Sequence, residues 1–283
     1  MLDRARIDTS LSAPAHPEAP GAQAPLQFRP APVRTAAIAA AIGVLVFLLV
    51  VALAHISLRS DRDGLKRQVL AGFASGALDP AGGWRFADVR VGAHQTNDCL
   101  ILFQAIDNRA TAAQLAVTPL SPPLGTMSMC GALQDIASDR PKDELRFYHH
   151  YVHGQTSLAR LFVPGLGVEG LRSIYKLALS IALLVGCAFA ATGLAARRSV
   201  PENAIWLLVF VSFARWFGLE SFGQSIGHAP ADLMLLLFLL FLCRGSAQKP
   251  LPERAAVIGC AVFGPLPMAF QVLSGGLPLG PAP

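Results

Sequence analysis

Charge is what this sequence has least of: 14% of its residues are Asp, Glu, Lys or Arg, against 53% hydrophobic. Soluble domains carry about 25% charged residues, so the deficit points to a membrane class before any span is located. No Lys/Arg run interleaves with aromatics, and the net charge of +5 gathers at the ends of apolar runs. Nucleic-acid binding is therefore not expected. There is no Walker-type loop, serine nucleophile elbow or dinucleotide fingerprint, and no internal repeat. Cysteine is scarce as well: of five, only Cys99 and Cys130 lie away from the apolar runs.

What is present is a series of long apolar runs. Roughly 20 apolar residues cross a ~30 Å hydrocarbon core, and Thr35 to Ile56 meets that length with only His55 ionisable. Leu177 to Ala196 is a second run, closed by Arg197 and Arg198. Ala204 to Phe222 is a third, interrupted by Arg215 and Glu220. Ala229 to Cys243 and Ala255 to Leu273 follow, separated by Arg244, Lys249 and Arg254. Short basic flanks set orientation. They put Ser57–Lys176, the Gly223–His228 turn and the C-terminal tail outside. Ala52-Leu53-Ala54 has the form of a signal cleavage site. The leader from Met1 to Arg34 and an apolar run beyond the roughly 7–15 residues of a signal sequence favour an uncleaved anchor.

The expected fold is an all-α integral membrane protein of about five spans, with an α-rich extracytoplasmic domain between the first and second. Residues 1–34, rich in Pro and Ala, read as a disordered cytoplasmic tail. Residues 35–56 are the first span, 57–176 the outer domain, 177–273 the membrane domain and 274–283 a tail. Within the outer domain, Leu65, Val69, Leu70 and Phe73 have helical spacing over Asp61 to Ala77. Trp84 to Val91 alternates like a strand, Leu100 to Gln104 fits either type, and Pro119 to Gly125 reads as loop. Lys142 to Phe162 reads as an amphipathic helix along the outer membrane surface, with Leu145, Tyr148 and Val152 on one face.

Several groups in this segment are candidates for chemistry. Cys99 and Cys130 face an oxidising compartment and are expected to pair; two free thiols are the alternative. A bridge would close a loop of about thirty residues and contribute roughly 3–4 kcal/mol. Asp98 lies between Asn97 and Cys99. The residues alone favour an ordinary turn aspartate; pressed toward a bilayer, it would instead have a raised pKa and act as a general base. His149 and His153 stand four apart, as metal ligands on a helix do. Without a third ligand, hydrogen bonding of His153 to a substrate oxygen or lipid phosphate is preferred to metal, and an interfacial belt with Tyr148 and Tyr151 is the alternative. Arg215 and Glu220 are ionisable groups within a span and so are site candidates, with Gln224, His228 and Asp232 at the same outer mouth. Pairing with one another is their structural alternative.

These residues resemble the pattern of an uncharacterised group of bacterial multi-span proteins. That pattern is an Asp-Cys or Asn-Asp motif in the first outer loop, a later Cys, then a Tyr-x-Arg-Tyr-Trp-His-Gly-Tyr segment. Asn97-Asp98-Cys99, Leu124-Gly125 with Cys130, and Tyr148, Tyr151, His153 and Gly154 match it. His150, Val152 and Gln155 depart from it, and Leu161 stands where a proline usually follows Arg160. The resemblance runs from about Thr35 to Arg244 and is specific mainly in the outer loop. The group is similar in turn to GT-C class glycosyltransferases, which carry more spans than are read here. The resemblance implies a bacterial inner-membrane location, a polyprenyl-phosphate sugar as donor, and envelope-glycan assembly as the process. It makes Asp98 the base for the acceptor hydroxyl, or the residue that orients a divalent metal; no cofactor is otherwise indicated. Arg172 or Arg215 would neutralise the leaving phosphate, with Tyr151, His153, Glu220 and His228 lining the substrate. Membrane lipids are the expected surroundings. The rival reading is a non-enzymatic protein whose outer domain binds an envelope partner.

Overall fold

In the computed structural model the described residues are 32–81, 85–86, 89–90, 95–122, 128–140, 145–148, 152–217, 225–247 and 252–270. Helices dominate them. In chain order they are α1 (Pro32–Ser57), α2 (Arg62–Ser75), α3 (Gln95–Ile106), α4 (Ala112–Val117), α5 (Met129–Ala137), α6 (Gly154–Ala195), α7 (Val200–Phe217), α8 (Ala229–Ala247), α9 (Glu253–Phe263) and α10 (Pro265–Phe270). Two antiparallel pairs of two-residue strands accompany them, β1 (Arg85–Phe86) with β2 (Val89–Arg90) and β3 (Leu120–Ser121) with β4 (Arg146–Phe147).

α1 and α6 are long and apolar enough to cross a membrane. α1 buries a narrow apolar stripe, Val46, Val50 and Ala54, whose four-residue spacing keeps them on one face. That stripe packs on Leu115 and Ala116 of α4 and Ala269 of α10. α6 has 42 residues, about 63 Å at the helical rise. Gly167 divides it, with φ of +73°, a left-handed conformation that glycine adopts without a Cβ clash; Pro164 lies one turn earlier.

The first half of α6 completes a core with α2, α3 and α5, built on Leu65, Val69, Ile101, Ile106, Leu133, Val163 and Leu171. α3 is buried all round from Asp98 to Ile106, the pattern of a central helix. Each large apolar side chain so buried contributes roughly 1.5–3 kcal/mol. Asp61 caps α2 by accepting from Gly64 N–H at 2.8 Å, and Gly76 ends it with φ of +81°. Thr111 and Gln114 form a reciprocal capping box on α4.

The second half of α6 packs on α7 and α8 through Leu179, Leu183, Ala190, Phe210 and Leu236. The contact is close because Gly186 faces the Phe210 ring, where a Cβ would come within 2.4 Å of the ring edge.

Three expectations change here. Trp84 to Val91 is not one strand: β1 and β2 pair with each other, Arg85 opposite Arg90. Lys142 to Phe162 is not one helix, since residues 146–147 are extended in β4 and α6 starts only at Gly154. The last apolar run, Ala255 to Leu273, contains two helices that meet at Gly264.

Candidate functional site

Asp98 sits in the first turn of α3 and is fully buried, so it is no surface turn residue. A carboxylate there faces the positive end of the helix dipole. Its main partner lies 74 residues on: Arg172 donates to Asp98 Oδ2 from Nη2 at 2.7 Å and from Nε at 3.1 Å. The third arm of that guanidinium, Nη1, donates to the Ala77 carbonyl at 2.7 Å. The other carboxylate oxygen, Oδ1, accepts from Gly227 N–H at 3.3 Å. Next door, the Asn97 amide lies 2.7 Å from His228 Nε2. Thus α3, α6 and the turn before α8 meet at one point.

Local structure explains why they stay there. Cys99 is joined to Cys130 by a disulfide with Cα atoms 5.0 Å apart, pinning α3 to α5. Ser128 caps α5 and donates to the Pro80 carbonyl at 2.6 Å. Gln95 accepts from Asp79 N–H and donates to the Ala77 carbonyl, fixing the carbonyl that also receives Arg172. Lys66 of α2 is paired with Asp139 just past α5, and that contact holds the Asp139 carboxyl below the usual carboxylate range.

Oδ2 of Asp98 already holds two guanidinium N–H groups, so its basic lone pairs are engaged. Nor does the carboxylate fit a metal ligand, because a fixed guanidinium stands where a cation would sit. Among the described residues no three His, Cys, Asp or Glu side chains come together as metal ligands would.

His153 lies apart from this point. It is the residue before α6, not part of a helix face, so the four-residue spacing with His149 has no helical meaning. Its N–H donates to the Ala116 carbonyl at 2.7 Å, and its ring meets Tyr148 edge-on at 5.6 Å. Burial pushes its pKa down to about 4, an effect that a backbone contact with Tyr148 partly opposes. It is a neutral, buried ring. Tyr151, Glu220, His149, His150 and Gln224 lie outside the described residues, as does the side chain of Arg215, whose backbone is in α7.

Of the predicted site residues, the fold brings together Asp98, Cys99, Cys130, Arg172 and His228, and it keeps His153 elsewhere. Compared with known proteins, the chain matches no family model, no curated protein and no solved structure.

Sequence reasoning missed Gly227 and Tyr175. Gly227 acts through its backbone and leaves no signal of its own. Tyr175, one turn past Arg172, packs against both the α2–α3–α5 core and the α6–α8 core. Its hydroxyl is buried with no hydrogen-bond partner among the described residues. The signal for it was its i+3 spacing from Arg172 on one helix.

Proposed function

We propose that the chain is a multi-pass bacterial inner-membrane protein of about five spans, acting as a GT-C-like glycosyltransferase on a polyprenyl-phosphate sugar during envelope-glycan assembly. The observation that carries this reading is the contact between Asp98 and Arg172 where the helical domain joins the apolar half of α6. A lipid-linked donor presents its phosphate at such a boundary, and a guanidinium is suited to grip phosphate. When Arg172 turns to the phosphate, Asp98 is released as a base. The acceptor oxygen then bonds to the anomeric carbon, the bond from that carbon to the phosphate oxygen breaks, and Asp98 takes the acceptor proton. Polyprenyl phosphate leaves with its charge held by Arg172. Donor binding and base release are thereby one event, so the base is freed only when a donor is bound.

The test is envelope-glycan transfer in cells lacking the gene, complemented with wild type or Asp98→Asn at matched membrane abundance. Asparagine retains an acceptor for Arg172 but cannot take a proton. General-base catalysis contributes about 10²–10⁴-fold, so transfer should fall by at least a hundredfold. Equal transfer contradicts the proposal.

A second reading is favoured by one specific observation. Asp98 is fully buried and its contacts are internal, as in a structural clamp. Under that reading the outer domain binds an envelope partner without catalysis, and Asp98→Asn leaves glycan transfer unchanged.

A further inference from the structure

At the opposite end of α3 from Asp98, two arginines reach consecutive backbone carbonyls and a third reaches the adjoining carboxylate. Arg62 Nε donates to the Ile106 carbonyl at 2.8 Å, and Arg160 Nη1 donates to the Asp107 carbonyl at 3.0 Å. Arg109 Nε donates to Asp107 Oδ1 at 2.7 Å. Asp98 and Asp107 are nine residues apart along α3 and its end, about 13 Å at the helical rise, so this is a separate place. Arg172 is likewise on the far side of the Gly167 break from Arg160.

Capping the end of α3 explains part of the arrangement, since cations favour helix C-termini. It does not explain all of it. A guanidinium offers five N–H donors, whereas the capping bonds use one each from Arg62 and Arg160. The carboxylate at this place, Asp107, is paired with Arg109, and its Oδ2 has no hydrogen-bond partner among the described residues. Arg160 is 3% exposed, and its Nε–H has no partner among the described residues. The Ser157 hydroxyl, one turn earlier on α6, is buried and unpartnered in the same sense. Exposure is graded as well: Arg109 is exposed, Arg62 half-buried and Arg160 buried, so positive charge leads inward from the surface. α1 ends at Ser57, only a few residues before Arg62, and Phe162 and Leu166 are exposed on α6 just beyond Arg160.

We propose that Arg62, Arg109 and Arg160 form a binding site for the phosphate of an anionic lipid at the outer membrane surface. Charge-assisted bonds from the arginines hold the phosphate, and the Ser157 hydroxyl adds a donor. The inference rests on the membrane placement proposed above and is independent of glycosyl transfer.

The experiment uses the full chain in phosphatidylcholine nanodiscs, with phosphatidic acid titrated into the discs and the thermal unfolding midpoint as readout. Phosphatidic acid should raise the midpoint of wild type. Arg109→Gln and Arg62→Gln should each need about tenfold more of it for the same rise, as befits loss of a charge-assisted bond. Arg140→Gln, which removes an exposed charge elsewhere in the outer domain, should respond like wild type. Equal responses from wild type, Arg109→Gln and Arg62→Gln overturn the site. An equal loss in Arg140→Gln reduces the effect to general charge and also overturns it. If inorganic phosphate in phosphatidylcholine discs gives the same rise, the lipid assignment fails. Co-elution with the discs is checked first, and its absence removes the membrane reading and this inference together.

Discussion

The outer-domain core and the α6–α8 bundle are built on opposite rules. The first buries polar groups among apolar ones: Asp98, Gln104, Thr156, Ser157 and Arg160 are all inside it. Most have partners there, such as the bond from the Thr156 hydroxyl to Gln104 Oε1 at 3.1 Å. The second turns its apolar side chains outward, with Leu184 70% and Leu208 66% exposed; α1 does the same with Leu45, Leu48 and Leu49. In water each such leucine forgoes roughly 1.5–3 kcal/mol of burial, whereas lipid reverses that preference. A buried polar group is tolerable when hydrogen-bonded, which the outer core largely arranges. On the membrane placement proposed above, the two regions suit two solvents, and the Asp98–Arg172 contact stands where they meet.

The strongest way to break that comparison is to remove a partner at the junction. Arg172→Ala leaves a fully buried carboxylate without its cation, and such losses cost about 3–5 kcal/mol. Denaturant unfolding of the reconstituted chain should show a loss of that size, and Asp98→Asn should cost less because it keeps a polar partner for Arg172. Near-neutral unfolding of Arg172→Ala would mean the contact holds nothing together.

Next in size is the covalent tie. Cys99 and Cys130 are 31 residues apart, and a bridge of that span contributes roughly 3–4 kcal/mol by restricting the unfolded chain. Reduction should destabilise the outer core while leaving the helicity of the α6–α8 bundle intact. Equal loss in both regions would show them to be one cooperative unit.

A smaller and pH-dependent effect comes from His153. Its folded pKa of about 4 lies below the ordinary value of 6.5, so the unfolded chain binds the extra proton between those values. Stability from this group is complete above pH 6.5 and is lost as pH falls toward 4, by up to about 3 kcal/mol in total. His153→Gln should flatten that slope in denaturant titrations run across the window. An unchanged slope would place the ring in contact with water.

Some of this was legible in the residues. Leu65, Val69 and Phe73 announce α2 by spacing alone, because one face of that helix is apolar and the other is not. α3 hides its type, since residues buried all round have no periodicity to read. The Tyr148–Gly154 segment misled for a different reason. Its side chains repeat at helical spacing, yet long-range bonds claim the backbone: Tyr148 N–H donates to the Pro119 carbonyl and His153 N–H to the Ala116 carbonyl. Tertiary pairing overrode local pattern. The pairing of Asp98 with Arg172 was equally hidden, because the two lie 74 residues apart and sequence offers no distance between them. Cys99 and Cys130 were readable because so few cysteines competed for the same partner.

The claim that two solvents meet at Asp98 is tested most directly by spin labels on the full chain in nanodiscs. Cys187, Cys243 and Cys260 are first replaced by serine, since they are the free thiols. One label is then placed at Leu184→Cys in the outward apolar face and another at Asp139→Cys beside the outer core. Power-saturation measurements compare relaxation by oxygen, which concentrates in lipid, with relaxation by a water-soluble nickel chelate. The account predicts oxygen-dominated relaxation at position 184 and chelate-dominated relaxation at position 139. Chelate-dominated relaxation at both would put the exposed leucines in water and contradict it.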